Sequence, residues 1–91
     1  MLKNSQLKRK LLFVYNQSLL KAYKLLKVCQ EQLLISLQDS VRCVYQKEDT
    51  PRQEIARKDY RRALNTYIDA YSYVLSIKED IKQLQEWEAN E

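Results

Sequence analysis

Hydrophobic residues recur at seven-residue intervals through both halves of this chain, and in the first half the positions opposite the leucine series are polar. In the first half, four leucines are each followed three positions later by a second and mostly small residue. The first pair of series is Leu12, Leu19, Leu26 and Leu33 with Tyr15, Ala22, Cys29, Ser36 and Cys43. The second pair is Tyr60, Tyr67, Val74 and Ile81 with Ala56, Ala63, Ala70, Ile77 and Leu84. Alternating steps of three and four residues are typical of a coiled-coil seam, so the pattern predicts two long helices.

The two series are interrupted once, near the only proline of the chain. The sequence contains no glycine, and its single proline is Pro51. Thr50 suits the N-cap of a helix, Pro51 suits the first helical position, and Gln53 stands at the spacing of a capping box. The predicted organisation is a single domain over residues 1–91, with helix 1 over about 4–46, a turn over 47–50 and helix 2 over about 51–87.

An antiparallel hairpin of these helices has a definite predicted register. If Cys43 lies opposite Ala56, the two residue numbers sum to 99, and the same sum pairs the rest of the small series. It pairs Ser36 with Ala63, Cys29 with Ala70, Ala22 with Ile77 and Tyr15 with Leu84; the larger layer places Leu33 near Tyr67, Leu26 near Val74 and Leu19 near Ile81. Small residues facing small residues near the turn should bring the backbones toward the lower end of the usual 8–10 Å helix spacing.

Two helices alone cannot cover all the apolar side chains of this sequence. Helix 1 carries apolar residues on two flanks, and helix 2 carries a row beside its seam. Exposed apolar surface forgoes about 25 cal/mol per Å² and favours association. The candidate interaction surface consists of Phe13, Leu20, Leu34, Val41, Leu64, Ile68, Tyr71 and Leu75.

This excess apolar surface predicts an all-α fold in which the long hairpin dimerises to a four-helix bundle. The alternative is a monomeric three-helix bundle, in which helix 1 breaks near residues 30–40. The absence of glycine, proline or a good cap inside helix 1 favours the dimer.

The composition excludes several classes of functional site. The chain has no histidine, the residue best suited to proton transfer near neutral pH and the commonest metal ligand. Without glycine it cannot form a P-loop or a dinucleotide-binding turn. Its two cysteines cannot by themselves complete a tetrahedral zinc site. We therefore expect a protein that is not an enzyme and has no catalytic residues, no metal and no cofactor.

The two cysteines also bear on the cellular compartment. Cys29 and Cys43 are about 21 Å apart along one helix, which is too far for a disulfide between them. At seam positions they are expected to be buried thiols, with a disulfide across a symmetric dimer as the alternative. Buried thiols fit a reducing intracellular compartment, with the cytoplasm favoured and the mitochondrion as the alternative. No apolar run reaches the length of a transmembrane helix.

The net charge of +4 is unevenly distributed along the chain. The register places the basic residues 8–10 beside Glu88 and Glu91, where the charges would neutralise one another. A second basic cluster near the turn is a candidate anion-binding site, formed by Arg42, Arg57, Lys58, Arg61 and Arg62. A basic helical surface can bind nucleic acid or an anionic membrane, although a protein partner is the favoured expectation.

Two segments resemble known helical families. Residues 13–24 (FVYNQSLLKAYK) and 41–49 (VRCVYQKED) resemble the LYR-motif proteins, small basic three-helix mitochondrial factors that bind acylated acyl carrier protein. Asn16 stands where that family has arginine, and Tyr45 where it has phenylalanine. Residues 58–75 (KDYRRALNTYIDAYSYVL) resemble one helix of microtubule-interacting-and-trafficking domains. No family membership is assigned from these segments.

The function expected from the sequence is that of a small non-enzymatic helical interaction factor, either an adaptor, an inhibitor or an assembly factor. It would act through an apolar, tyrosine-rich surface and form a homodimer. The first alternative is a module that binds nucleic acid or acidic lipid. The second, implied by the LYR resemblance, is an accessory factor for an acylated carrier protein.

Overall fold

The computed structural model describes residues 3–87, which form two helices packed against each other as an antiparallel hairpin. Helix α1 spans Asn4–Tyr45 and helix α2 spans Thr50–Glu86. The molecule is a rod that measures 68 × 17 × 15 Å. This confirms the predicted all-α hairpin.

Helix α1 is continuous, so the three-helix alternative with a break near residues 30–40 is wrong. The polar residues of that segment interrupt the apolar pattern, but none of them removes a backbone hydrogen bond. Proline would do so, and glycine would lower the helix propensity. The chain has neither residue there.

The connection between the helices begins with a hydrogen-bonded C-cap. Lys47 has a positive φ of 53°, in the left-handed region usually occupied by glycine. Its N–H donates to the carbonyl of Val44 at 3.1 Å, and the N–H of Glu48 donates to the carbonyl of Cys43 at 2.9 Å. This pair of bonds is the Schellman motif, which satisfies the last carbonyl groups of α1.

Helix α2 begins one residue earlier than the sequence indicates. Its N-cap is Asp49, whose carboxylate accepts a hydrogen bond from the backbone N–H of Arg52 at 2.9 Å. Thr50 is therefore already helical, and the prediction of Thr50 as the cap is wrong. Both residue types can cap, but the aspartate also carries a negative charge that the positive end of the helix dipole stabilises.

The core is a narrow line of side chains along the seam. The buried residues are Ala22, Cys29, Cys43, Ala56, Ala70, Val74, Ile77 and Ile81, all of them predicted seam residues. Ala22 and Ile77 lie in one buried cluster, and Ser36 and Ala63 line one hollow between the helices. Tyr15 and Leu84 likewise line a second hollow. Both helices therefore contribute seam residues to shared clusters and hollows, as an antiparallel hairpin requires. The exact pairing in which residue numbers sum to 99 stays a prediction.

At the end of the hairpin opposite the turn, a lysine of α1 binds the C-terminus of α2. The Lys8 ammonium donates to the carbonyl oxygens of Gln85 and Trp87, at 3.1 and 2.8 Å. A cation at the last carbonyls of a helix is favourable because the dipole is negative there. Glu88 and Glu91, the predicted partners of this basic end, lie outside the described residues.

Candidate docking surface

The hairpin has two distinct sides beside its seam. Residues that directly follow a seam residue lie on one side in both helices, because Tyr23 of α1 contacts Lys78 of α2. Ser40 and Gln53 continue the Leu33 and Tyr60 series by one heptad each and are counted with the seam. Residues that directly precede a seam residue lie on the other side, where Asp39 of α1 contacts Arg52 of α2. We call the first side the apolar–basic face and the second the mixed-charge face.

All eight residues of the predicted interaction surface belong to the apolar–basic face. Seven of them are exposed, from Phe13 at 64% to Tyr71 at 47%. Leu64 is half-buried. The others are Leu20, Leu34, Val41, Ile68 and Leu75. The structure therefore brings together two rows, one from each helix, that the sequence shows only separately.

Helix α2 carries a second heptad series on this face, exposed and parallel to the seam. We call it the α2 stripe; its members are Arg57, Arg61, Leu64, Ile68, Tyr71, Leu75, Lys78 and Lys82. Successive members are four and three residues apart in strict alternation, which keeps them on one side of the helix. The stripe has four apolar residues at its centre and two basic residues at each end.

Two contacts of tyrosine rings lie at the centre of the face. Tyr67 and Tyr71 stack with their ring centroids 6.2 Å apart. The ammonium of Lys78 lies over the Tyr23 ring, 5.3 Å from its centroid. A hydrogen bond to the Tyr23 side chain raises the pKa of Lys78 above its ordinary value. The ring of Tyr23 and the ammonium of Lys78 thus form a cation–π contact that joins the two helices on this face.

The charges of the described residues are separated between the two faces. The apolar–basic face has the basic residues Arg9, Lys27, Arg57, Arg61, Lys78 and Lys82, and within residues 3–87 its one carboxylate is Glu54. The mixed-charge face has Lys21, Arg42, Arg52 and Arg62 together with Asp39, Asp59, Asp69 and Asp80. Positive potential is therefore concentrated on the side that exposes the predicted interaction surface.

On the mixed-charge face, opposite charges already contact one another. Asp39 forms an ion pair with Arg42 on the same helix. It also accepts two hydrogen bonds from Arg52 of α2, at 3.3 and 3.4 Å. Asp59 lines the hollow beside Arg42 and the hollow beside Arg62. Two of the four cations of this face, Arg42 and Arg52, are thus paired with Asp39.

The five candidate anion-binding residues are not brought together on one side. Arg42 lies on the mixed-charge face and pairs with Asp39. Arg57 and Arg61 lie on the apolar–basic face, Lys58 lies on the outer surface of α2, and Arg62 lies beside Asp59. The anion site expected from the sequence is therefore dispersed around α2.

Several members of these faces were not singled out by sequence reasoning. Lys78 and Lys82 belong to the α2 stripe, and Arg52 joins the two helices through Asp39. The signal for the stripe was present, because its members each follow a seam residue of helix 2. The sequence pattern had assigned Arg57 and Arg61 to a separate anion site, and Lys78 and Lys82 to no site.

Other chemistry is sparse in this structure. Both thiols are free and buried, with Cys43 only 1% exposed. Residues 3–87 contain no group of three or more histidine, cysteine, aspartate or glutamate side chains that could hold a metal ion. Across the same residues, neither helix has a segment long and apolar enough to cross a bilayer.

Comparisons of the chain with protein families, with curated proteins and with solved structures found no match. The three-helix fold implied by the LYR resemblance is also not formed, because α1 is unbroken. Tyr45, at the position of that family's phenylalanine, is 86% exposed. The geometry of the two faces is therefore the basis for a functional proposal.

Proposed function

We propose that this protein is a non-enzymatic helical interaction factor that docks a partner protein through its apolar–basic face. The observation that carries the proposal is the exposure of large apolar side chains in two adjacent rows. In contrast, Val74 and Cys43 are the largest fully buried side chains of the described chain. A surface this apolar, with charged residues at its ends, is typical of protein interaction sites.

The apolar side chains of this face would stabilise a complex if a partner covered them. Full burial of one large apolar side chain contributes about 1.5–3 kcal/mol. Residues such as Phe13, Leu20 and Ile68 are about half exposed or more. A partner helix packed along this face would remove part of this apolar surface from water, and this gain can exceed the entropy lost on association.

A photo-crosslinking amino acid at Ile68 tests the proposal directly. In cells of the source organism, the probe at Ile68 should capture a specific protein, and the same probe at Asn65 should not. Asn65 is exposed on the outer surface of the same helix, away from both rows. Adding Leu75→Asp should abolish the capture, whereas Ser72→Asp should preserve it. Equal capture from Ile68 and Asn65 would contradict the proposal.

We infer that self-association, if the predicted homodimer forms, uses the mixed-charge face. Two copies joined through the apolar–basic face would place six cations of one chain against six of the other. The mixed-charge face has equal numbers of basic and acidic side chains, together with exposed residues such as Val14, Val28 and Ile35. It can therefore pair with itself without a net repulsion.

Sedimentation equilibrium at micromolar concentration tests this homodimer. The chain of 11.0 kDa should sediment with twice its mass. Val28→Asp should return it to a monomer, because the substitution places a charge in the proposed interface. A chain that stays monomeric at all concentrations would refute the dimer.

The alternative functions have less support. An anion-binding module would need its cations on one side, but Arg42 is paired with Asp39 and Arg62 lies beside Asp59. Nucleic-acid binding through Arg61 and Arg62 would weaken steeply with salt and with reversal of these charges. An acyl-carrier accessory role rests on the LYR resemblance alone.

A further inference from the structure

We propose that the occupant of the apolar–basic face is an acidic amphipathic helix, with apolar residues at its centre and carboxylates near both of its ends. This inference rests on the proposed function and specifies the chemistry of the partner. It is carried by the order of residues along the α2 stripe and by the separation of charge between the two faces.

The α2 stripe defines where a partner helix must be apolar and where it must be charged. Its apolar centre extends from Leu64 to Leu75, about 16 Å along the helix axis. The nearest flanking cations are Arg61 and Lys78, about 26 Å apart. A partner of about five turns would therefore bring its own apolar stripe over the centre and its terminal residues beside the cations.

The charge of the face determines the sign of the partner. The six cations of the apolar–basic face are all exposed, and within the described residues Glu54 is the single carboxylate beside them. A neutral or basic helix would leave these cations unmatched as their surroundings lost water. Carboxylates in the partner would instead form charge-assisted hydrogen bonds, which are strongest with the guanidinium groups of Arg57 and Arg61.

The arrangement favours a helix over a membrane or a nucleic acid. Lys27 stands in the same row as Leu20 and Leu34, at the middle of α1's contribution to the face. A bilayer would have to accept this lysine at the same depth as its apolar neighbours, whereas a helix can place one carboxylate opposite it. A phosphate backbone would match the cations but would leave Leu34, Ile68 and Leu75 uncovered.

The probe for the experiment is a synthetic amphipathic helical peptide of about five turns with a leucine and isoleucine stripe. Three versions carry glutamate, glutamine or lysine at the positions that flank the stripe. Fluorescence anisotropy with the full chain should show the glutamate peptide binding at least about 10-fold more tightly than the glutamine peptide at low salt, with the difference shrinking as salt is added.

Charge reversal provides the decisive variant. Arg57→Glu, Arg61→Glu, Lys78→Glu and Lys82→Glu together should transfer the preference from the glutamate peptide to the lysine peptide. The matched control reverses four exposed cations outside the face, namely Lys10→Glu, Lys24→Glu, Lys58→Glu and Arg62→Glu. It should keep the preference for glutamate. Circular dichroism should show both variants to be helical, because all the substituted side chains are exposed.

Three outcomes would overturn this proposal. One is equal binding, or no binding, of all three peptides. Another is binding of phosphatidylserine vesicles through the same four cations in preference to the glutamate peptide. The third is a change in sedimenting mass on Ile68→Asp, which would identify a second copy of the chain as the occupant.

The failure of this inference can be told apart from failure of the proposed function. If the probe at Ile68 captures a protein and the four charge reversals leave that capture unchanged, the docking function stands and the acidic partner is wrong. If the probe at Ile68 captures nothing beyond the Asn65 control, the docking function itself is wrong.

Discussion

Lys47 occupies a backbone conformation that usually belongs to glycine. Its φ of 53° allows the Schellman bonds from Lys47 and Glu48 that end α1. A residue with a Cβ atom pays roughly 1–2 kcal/mol in this region, and this chain has no glycine to avoid the cost.

Lys47→Gly should therefore stabilise the hairpin by about 1 kcal/mol, since the folded state loses strain that exceeds the added chain entropy. Urea unfolding at one fixed protein concentration measures this change. Lys47→Ala is the matched control, because it removes the same side chain but keeps the Cβ atom. An equal response of the two variants would show that the left-handed backbone is not the cause.

Small side chains occupy the buried seam in the half of the hairpin toward the turn. Ala70 is 6% exposed and lies in the seam opposite Cys29 in the predicted register. Ala70→Leu should destabilise the fold by about 1–3 kcal/mol, because the added volume has no space between the helices. Ser72→Leu, on the exposed outer surface of α2, should change the free energy of unfolding by less than about 0.5 kcal/mol.

At the scale of the elements, α2 depends on a cap that lies one residue before the predicted one. The carboxylate of Asp49 accepts from the N–H of Arg52 at 2.9 Å. Asp49→Ala should cost about 1 kcal/mol of stability, whereas Thr50→Ala should be nearly neutral. Thermal unfolding followed by circular dichroism compares them. A larger loss for Thr50→Ala would restore the capping role that the sequence pattern suggested.

Helix α2 is also the element that joins fold and proposed function. One heptad series of this helix forms the seam, and the series one residue later forms the α2 stripe. A helix with apolar residues in two neighbouring stripes has a wider apolar surface than one partner helix can cover. Because α1 packs against the seam residues of α2, the α2 stripe remains accessible.

At the scale of the whole molecule, the apolar–basic face is expected to be open in the isolated protein. Ile68→Asp should leave the free energy of unfolding within about 0.5 kcal/mol, because Ile68 is 48% exposed. Ile77→Asp should unfold the chain, because Ile77 is 4% exposed and a carboxylate there would be buried without a partner. Urea unfolding of both variants checks this. A comparable loss for Ile68→Asp would mean that this face is covered in solution.

The sequence by itself determined the helical character of the chain, the position of the turn and the line of the core. Heptad spacing is a property of a single helix, so the seam positions of each helix can be identified from its own sequence. Pro51 marked the turn, and every buried residue of the described chain lies at a predicted seam position. The cap was misplaced by one residue because Asp49 and Thr50 both suit that role locally.

Only the tertiary structure decided whether α1 is continuous and which flanks share a side of the hairpin. Helix α1 is apolar around much of its circumference. Its pattern alone therefore did not decide whether the helix breaks near residues 30–40, or which of its apolar flanks lies beside that of α2. The contacts of Tyr23 with Lys78 and of Asp39 with Arg52 set the two sides. A face formed by rows from two helices, with its charge on one side, exists only once the helices are packed together.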